Sequence, residues 1–375
     1  MSADSPRLPP LAPSVLRDPE EHERASTPLE LLFDLCFVVA VAALAAELHH
    51  GVTEGHAAAA TAAYALLFVP VTRLLTLGQM AGVLAVAATV PTAADGDLVP
   101  FALAYAAMRL PLVLQWLRSA RDDPPHHGFA LTYAAGSLLA QALWVGSALA
   151  GGPARAVGFA VALGVELATP ALAVRRTPDR VFHPGHIAER YGLFTLIVLG
   201  DTILAVTVGL TDALGDAGRR SSAFVVVGSA LVIAFGMWWT YFDALGRDAL
   251  TRHRRAAFTW GYGHYALYAA LAAIGAGVQA QLDLLGGGHG VGADVGQGLA
   301  VLVVAVPVAL SLAAIAWLQQ AANGRTRDAR LLAAAAGACA LVGLAGPALP
   351  VPVADALLAV VVVGAVLAPM RGSES

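Results

Sequence analysis

The sequence predicts an all-α protein: a polytopic membrane helix bundle of about twelve transmembrane helices. Three observations predict it. Hydrophobic residues make up 58% of the 375 residues and charged residues only 13%, against roughly 25% charged in an average globular domain. The mean hydropathy is +0.70. The apolar residues fall in runs of about 20, the length that crosses a hydrocarbon core. A 38.3 kDa globule still needs a polar surface. The composition therefore excludes a soluble enzyme, a nucleic-acid binder and a disordered chain.

Residues 1–28 carry Pro, Arg and Glu without an apolar h-region, so they read as a cytoplasmic segment with no cleavable signal peptide. The first six candidate spans run 29–48, 57–77, 78–94, 98–118, 128–150 and 154–174. The second six run 187–210, 221–243, 257–282, 295–318, 328–347 and 352–370. Gly78 marks the boundary between the second and third. These runs are too long for barrel strands, and backbone groups in lipid must be satisfied within the segment, so each is a helix. Pro70, Pro111, Pro170 and Pro307 fall inside spans, where neighbouring helices tolerate the kinks.

Charge orients the bundle. All 22 basic residues are Arg. With the N-terminus inside, seventeen of them fall in cytoplasmic segments and three, Arg155, Arg219 and Arg220, in external loops. That bias is the positive-inside rule, and it places both termini, including residues 371–375, in the cytoplasm. A cytoplasmic linker at 175–186, with Arg175, Arg176, Pro178, Arg180 and Pro184, divides the chain into membrane halves 29–174 and 187–370. Six spans in each half allow a parallel 6+6 repeat. Cys36 and Cys339 both sit in apolar runs, which argues against a disulfide framework or a thiolate metal site.

The informative residues are those that do not belong in hydrocarbon. A charge at mid-helix costs about 2.5 kcal/mol or more, so such side chains pair, face the bundle interior or line a cavity. The intramembrane set is Glu30, Asp34, Arg73, Arg109, Glu166, Glu189, Arg190, Asp201, Asp243 and His264. Glu30 closes the capping box Thr27-Pro28-Leu29-Glu30, which accounts for it as well as function does. Asp34 lies one turn deeper on the same face, and no cap explains it. Glu47, beside His49 and His50, reads as a solvated outer end. Arg109 is central in its span and needs a buried partner, either Glu166 or Asp34; the bland reading is a structural ion pair. Arg190 and Asp201, eleven residues apart, differ by about 20° around the helix and line one stripe.

Trp238-Trp239-Thr240-Tyr241-Phe242-Asp243 closes a span at the cytoplasmic face as an aromatic belt, with Asp243 near the interface. His264, in Trp260-Gly-Tyr-Gly-His264-Tyr265, suits either a hydrogen-bonded structural role or a proton relay. Arg190 and His264 could supply the pull that opposes burial on Asp201. Spans 295–318 and 328–347 carry no mid-span charge and read as lipid-facing scaffold. His183-x-x-His186 has ligand spacing but no Cys or acid beside it. There is no P-loop, no Gly-x-Ser-x-Gly elbow and no His-Glu-x-x-His helix.

Three of these stretches together resemble the bacterial low temperature requirement A (LtrA) family. They are Thr27-Pro-Leu-Glu-Leu-Leu-Phe-Asp-Leu-Cys-Phe-Val-Val-Ala40, Glu189-Arg-Tyr-Gly-Leu-Phe-Thr-Leu-Ile-Val-Leu-Gly-Asp-Thr-Ile203 and Trp238-Trp-Thr-Tyr-Phe-Asp243. The resemblance runs from about residue 25 to 370, with the motifs in order. Asp201 stands where that family usually shows Glu, Leu32 where Phe is usual and Cys36 where Val is usual. The resemblance implies a polytopic membrane protein named for growth in the cold, and it supplies no substrate.

Two readings from different classes follow. The first is a secondary transporter or carrier whose intramembrane carboxylates, Asp34 and Asp201 above all, handle a proton or cation. The second is a membrane-embedded enzyme or a sensor or regulatory scaffold that supports growth in the cold. An enzyme would gather its polar residues at one face, whereas these are spread in depth. The expected partners are the lipid bilayer of the bacterial plasma (inner) membrane and a small solute or ion. No nucleic acid, cofactor or metal ion is expected.

Overall fold

The computed structural model describes residues 71–176, 184–213, 220–245, 256–286, 296–323 and 327–370. Among them are ten α-helices and no strand. The helices are α1 (Val71–Ala94), α2 (Val99–Asp122), α3 (His127–Leu149), α4 (Gly152–Val174) and α5 (Pro184–Ala213). They continue with α6 (Arg220–Ala244), α7 (Ala256–Gly286), α8 (Gln297–Asn323), α9 (Arg327–Leu344) and α10 (Val351–Met370). Nine of these ten are long and apolar enough to cross a membrane. The other, α9, starts on Arg327, Asp328 and Arg330. Helices α2 to α10 overlap the fourth to twelfth spans read from the sequence, and α1 covers the third together with residues 71–77 of the second. The span 29–48 and residues 57–70 of the next lie outside the described residues.

Helix ends follow local chemistry. Pro124 and Pro125 cannot continue α2 and form one 3-10 turn to His126. Gly151, Gly152 and Pro153 separate α3 from α4, with Gly152 at φ +59° and Pro153 in the first helical turn. Between α1 and α2, Gly96 takes φ +99°, and the Asp97 carboxylate accepts the Val99 N–H at 3.2 Å.

The expected boundary at residues 77 and 78 is overturned, because α1 runs unbroken through Gly78. One glycine costs a helix only about 1 kcal/mol, and here the missing side chain serves packing. A Cβ on Gly82 would lie 2.4 Å from the Met108 Cα, and one on Gly78 would lie 3.2 Å from the Pro111 ring. Gly78-x-x-x-Gly82 is thus a close-approach face for α2, the way small residues join helices in lipid.

The chain forms two units, up to His183 and from Pro184 onward. In the first, α1 packs on α2, α2 on α3 and α3 on α4. In the second, α5 packs on α6 and α7, α6 on α10, and α8 contacts α6, α7, α9 and α10. Helix α8 is the core of this unit: Val301, Val304, Val308, Leu312, Ile315 and Leu318 are fully buried. The reading of span 295–318 as lipid-facing scaffold is therefore wrong. The span 328–347 fares no better as a purely lipid-facing element, since Leu332, Ala336 and Cys339 of α9 are buried. Lipid tails are as apolar as Leu, so an uncharged helix can sit at the centre or the rim of a bundle; composition does not choose.

Candidate functional site

In the first unit three polar side chains, Tyr105, Arg109 and Trp144, close on one carboxylate. Arg109, eleven residues into α2, forms an ion pair with Glu166 of α4. The Tyr105 hydroxyl donates to the same Glu166 oxygen, and the Trp144 indole N–H of α3 donates to the other at 3.0 Å. Arg109 also donates to the Tyr105 hydroxyl at 2.7 Å and lies over that ring, 5.1 Å from its centroid. Of the two partners open to Arg109 in the sequence, the one it meets is Glu166. The spacing explains why three helices meet here. Tyr105 and Arg109 are one turn apart and share a face of α2, so one carboxylate reaches both. Charge is balanced within the group, and both carboxylate oxygens are engaged. Nearer the other end of α2, Gln115 accepts from Gln79 of α1 and donates to Thr76, each at 3.0 Å.

In the second unit the focus is His264, which is fully buried on α7. Its Nδ1 lies 2.7 Å from the Trp260 carbonyl and its Nε2 lies 3.0 Å from the Tyr241 hydroxyl. A carbonyl only accepts, so Nδ1 carries the hydrogen; in the neutral ring Nε2 then accepts from Tyr241. The rings of Tyr191, Trp260, Tyr268 and Tyr241 enclose the imidazole, with centroids 4.6 to 5.8 Å away. The Tyr268 hydroxyl donates to the Tyr191 carbonyl at 2.8 Å, tying α7 to α5. Tyr191 belongs to the second sequence motif and Tyr241 to the third. The fold therefore brings those two motifs together around His264.

The remaining residues of the set are dispersed. Arg190 and Asp201 fall on one stripe of α5 with Phe194, Ile197, Leu204 and Val208, and the whole stripe is exposed on its unit. Asp201 is the eighteenth of thirty residues in α5 and makes no hydrogen bond or ion pair with the described residues. Both imidazole nitrogens of His264 are committed to Tyr241 and Trp260, and neither bonds to Asp201. Glu189 is half-buried, and Asp243 is exposed near the end of α6. Arg73 lies within α1, not at the close of a separate second span. Glu30 and Asp34 lie outside the described residues.

One cluster was missed in the sequence. Asp355, the fifth residue of α10, is buried at 2% exposure beside Gln281 of α7 at 1%. Its signal was plain: an acid inside an apolar run. As the fourth residue of the predicted span 352–370, it reads as terminal. The amides Gln141, Gln281 and Gln319, also buried, carry no formal charge to mark them in the sequence.

Among the described residues no group of three or more His, Cys, Asp or Glu side chains could hold a metal ion. No solved structure matches the chain. An uncharacterized protein of Rhizobium meliloti (strain 1021) is 30% identical over 278 residues, which is 65% of this chain and 66% of that protein. This chain thus covers just under two thirds of that relative's length. The family model for the bacterial low temperature requirement A protein matches residues 25–72 and 69–367. With nearly the whole chain matched, including all three motifs, the protein belongs to the LtrA family of membrane proteins.

Proposed function

We propose that this protein is a secondary transporter or carrier of the bacterial plasma membrane, in which intramembrane carboxylates couple solute movement to a proton or cation. The observation that carries the reading is the placement of Asp201. It sits past the middle of an apolar 30-residue helix, on an exposed stripe that also bears Arg190. An ionised carboxylate facing hydrocarbon costs about 2.5 kcal/mol or more, so a stripe like this lines a water-accessible path. Asp34, deep in the first predicted span, is its proposed counterpart, with Glu30 nearer the surface.

Glu166 plays a different part. Its two oxygens are taken by Tyr105, Arg109 and Trp144, so it clamps α2, α3 and α4 together instead of exchanging ions. A proton relay through His264 belongs to this reading, with Nε2 and the Tyr241 hydroxyl as the exchanging pair. The complete bundle has twelve helices in two halves of six, with both termini cytoplasmic. Uptake of a broad solute panel into proteoliposomes, with and without a pH gradient, tests the proposal. Gradient-dependent uptake of at least one solute is expected, and it is lost in Asp201→Asn.

A further inference from the structure

The polar cluster at Asp355 lies in the packed interior of the second unit, and neither the exposed stripe of α5 nor the aromatic cage includes it. Asp355 Oδ1 accepts a hydrogen bond from the Gln281 amide nitrogen at 3.2 Å. The same nitrogen donates to the Ala300 carbonyl of α8 at 2.8 Å. An amide nitrogen carries two hydrogens, and both are spent here. Asp355 Oδ2 and Gln281 Oε1 are buried with no hydrogen-bond partner among the described residues. No arginine or histidine pairs with Asp355 among those residues.

The result is a buried acid with one neutral donor and no countercharge. Buried polar groups are bonded as a rule, and buried charges are paired. Four oxygens from three helices gather here: Asp355 Oδ1 and the Ala300 carbonyl accept from the amide nitrogen, while Asp355 Oδ2 and Gln281 Oε1 have no donor among the described residues. A positive charge at the two unpartnered oxygens, Asp355 Oδ2 and Gln281 Oε1, would settle the balance. We propose that Asp355, Gln281 and the Ala300 carbonyl form a binding site for one monovalent cation, either a proton or sodium. Charge matching sets the valence, since one carboxylate balances one unit charge. The ends of α7, α8 and α10 that carry these residues lie at one side of the bundle, five residues or fewer from a helix terminus. A small cation therefore has a short way in.

The site stands independently of Asp201, and its test does not require a transported solute. Thermal unfolding of the purified full-length protein in detergent is followed in two series. One varies pH without sodium; the other exchanges choline chloride for sodium chloride at constant ionic strength and pH. A ligand that binds the folded state alone raises the midpoint with its concentration. The wild-type midpoint should rise in one of the series, and that rise should vanish in Asp355→Asn, which keeps the volume and removes the charge. A rise with acid identifies the proton, and a rise with sodium identifies the metal cation. If Asp355→Asn follows the wild type in both series, the site does not exist. Should Asp355→Asn fail to fold, a hydrophobic carbodiimide is applied to the wild-type protein and Asp355 is read by peptide mass spectrometry. Labelling that falls as pH or sodium rises supports the site, and labelling absent or indifferent to both overturns it.

Discussion

Arg109 and Glu166 lie 57 residues apart in the chain and meet as an ion pair between α2 and α4, with Tyr105 and Trp144 bonded to the same carboxylate. Removing one partner of a buried pair strands the other charge, whereas neutralising both removes the problem. The pair is only part-buried, so Arg109→Met should lower stability by less than the roughly 3–5 kcal/mol of a fully buried pair. Adding Glu166→Gln should recover most of that loss, and adding Asp34→Asn should recover none. Thermal unfolding of the single and double variants in detergent decides between the two acids.

The contact of α1 with α2 predicts an order of severity for glycine substitutions. Gly82→Ala places a methyl 2.4 Å from the Met108 backbone, which must move. Gly78→Ala meets the edge of the Pro111 ring at 3.2 Å, a smaller conflict. Overpacking of this kind costs about 1–3 kcal/mol. Gly82→Ala should fall at the upper end and Gly78→Ala at or below the lower end. Equal midpoints for the two variants would contradict the close approach.

The aromatic cage separates packing from hydrogen bonding. Tyr241→Phe removes only the hydroxyl that His264 Nε2 accepts, a loss of about 1 kcal/mol. His264→Ala opens a void among Tyr191, Trp260, Tyr241 and Tyr268, which should cost roughly 3 kcal/mol. If His264 relays protons, Tyr241→Phe should also slow pH-driven uptake at unchanged membrane abundance. Uptake matching the wild type would leave His264 as structure.

Topology is open to reporter fusions in the connections between helices. Fusions at 123, 178, 250 and 326 should read cytoplasmic, and those at 96, 152, 215 and 289 external. Two or more reversed readings would refute the twelve-span arrangement.

The helices were legible because hydrocarbon permits few alternatives. A run of about 20 apolar residues must be a helix, and its ends follow from Pro124, Gly152 or a charged loop. Charge also revealed Arg109, whose central depth demanded a partner. Packing was less legible. Gly78 reads as a break from sequence alone, and only the Met108 and Pro111 contacts show it as a close-approach face. Helix α8 was misplaced because a lipid-facing helix and a central one are equally apolar. Asp355 stands so near the start of its apolar run that it reads as terminal, and Gln281 carries no formal charge to mark it. The convergence of Tyr191, Tyr241 and His264 depends on which helices are neighbours, and periodicity within one helix does not encode that.

The central claim is that intramembrane acids, Asp201 and Asp34 foremost, carry the activity. Asp34→Asn and Asp201→Asn retain volume and remove the titrating group. The most direct measurement is growth in the cold of cells that lack the protein and express each variant, with membrane abundance followed by immunoblot in the same cultures. The account predicts normal abundance and failed growth for both. Full growth restored by both variants at normal abundance would contradict it.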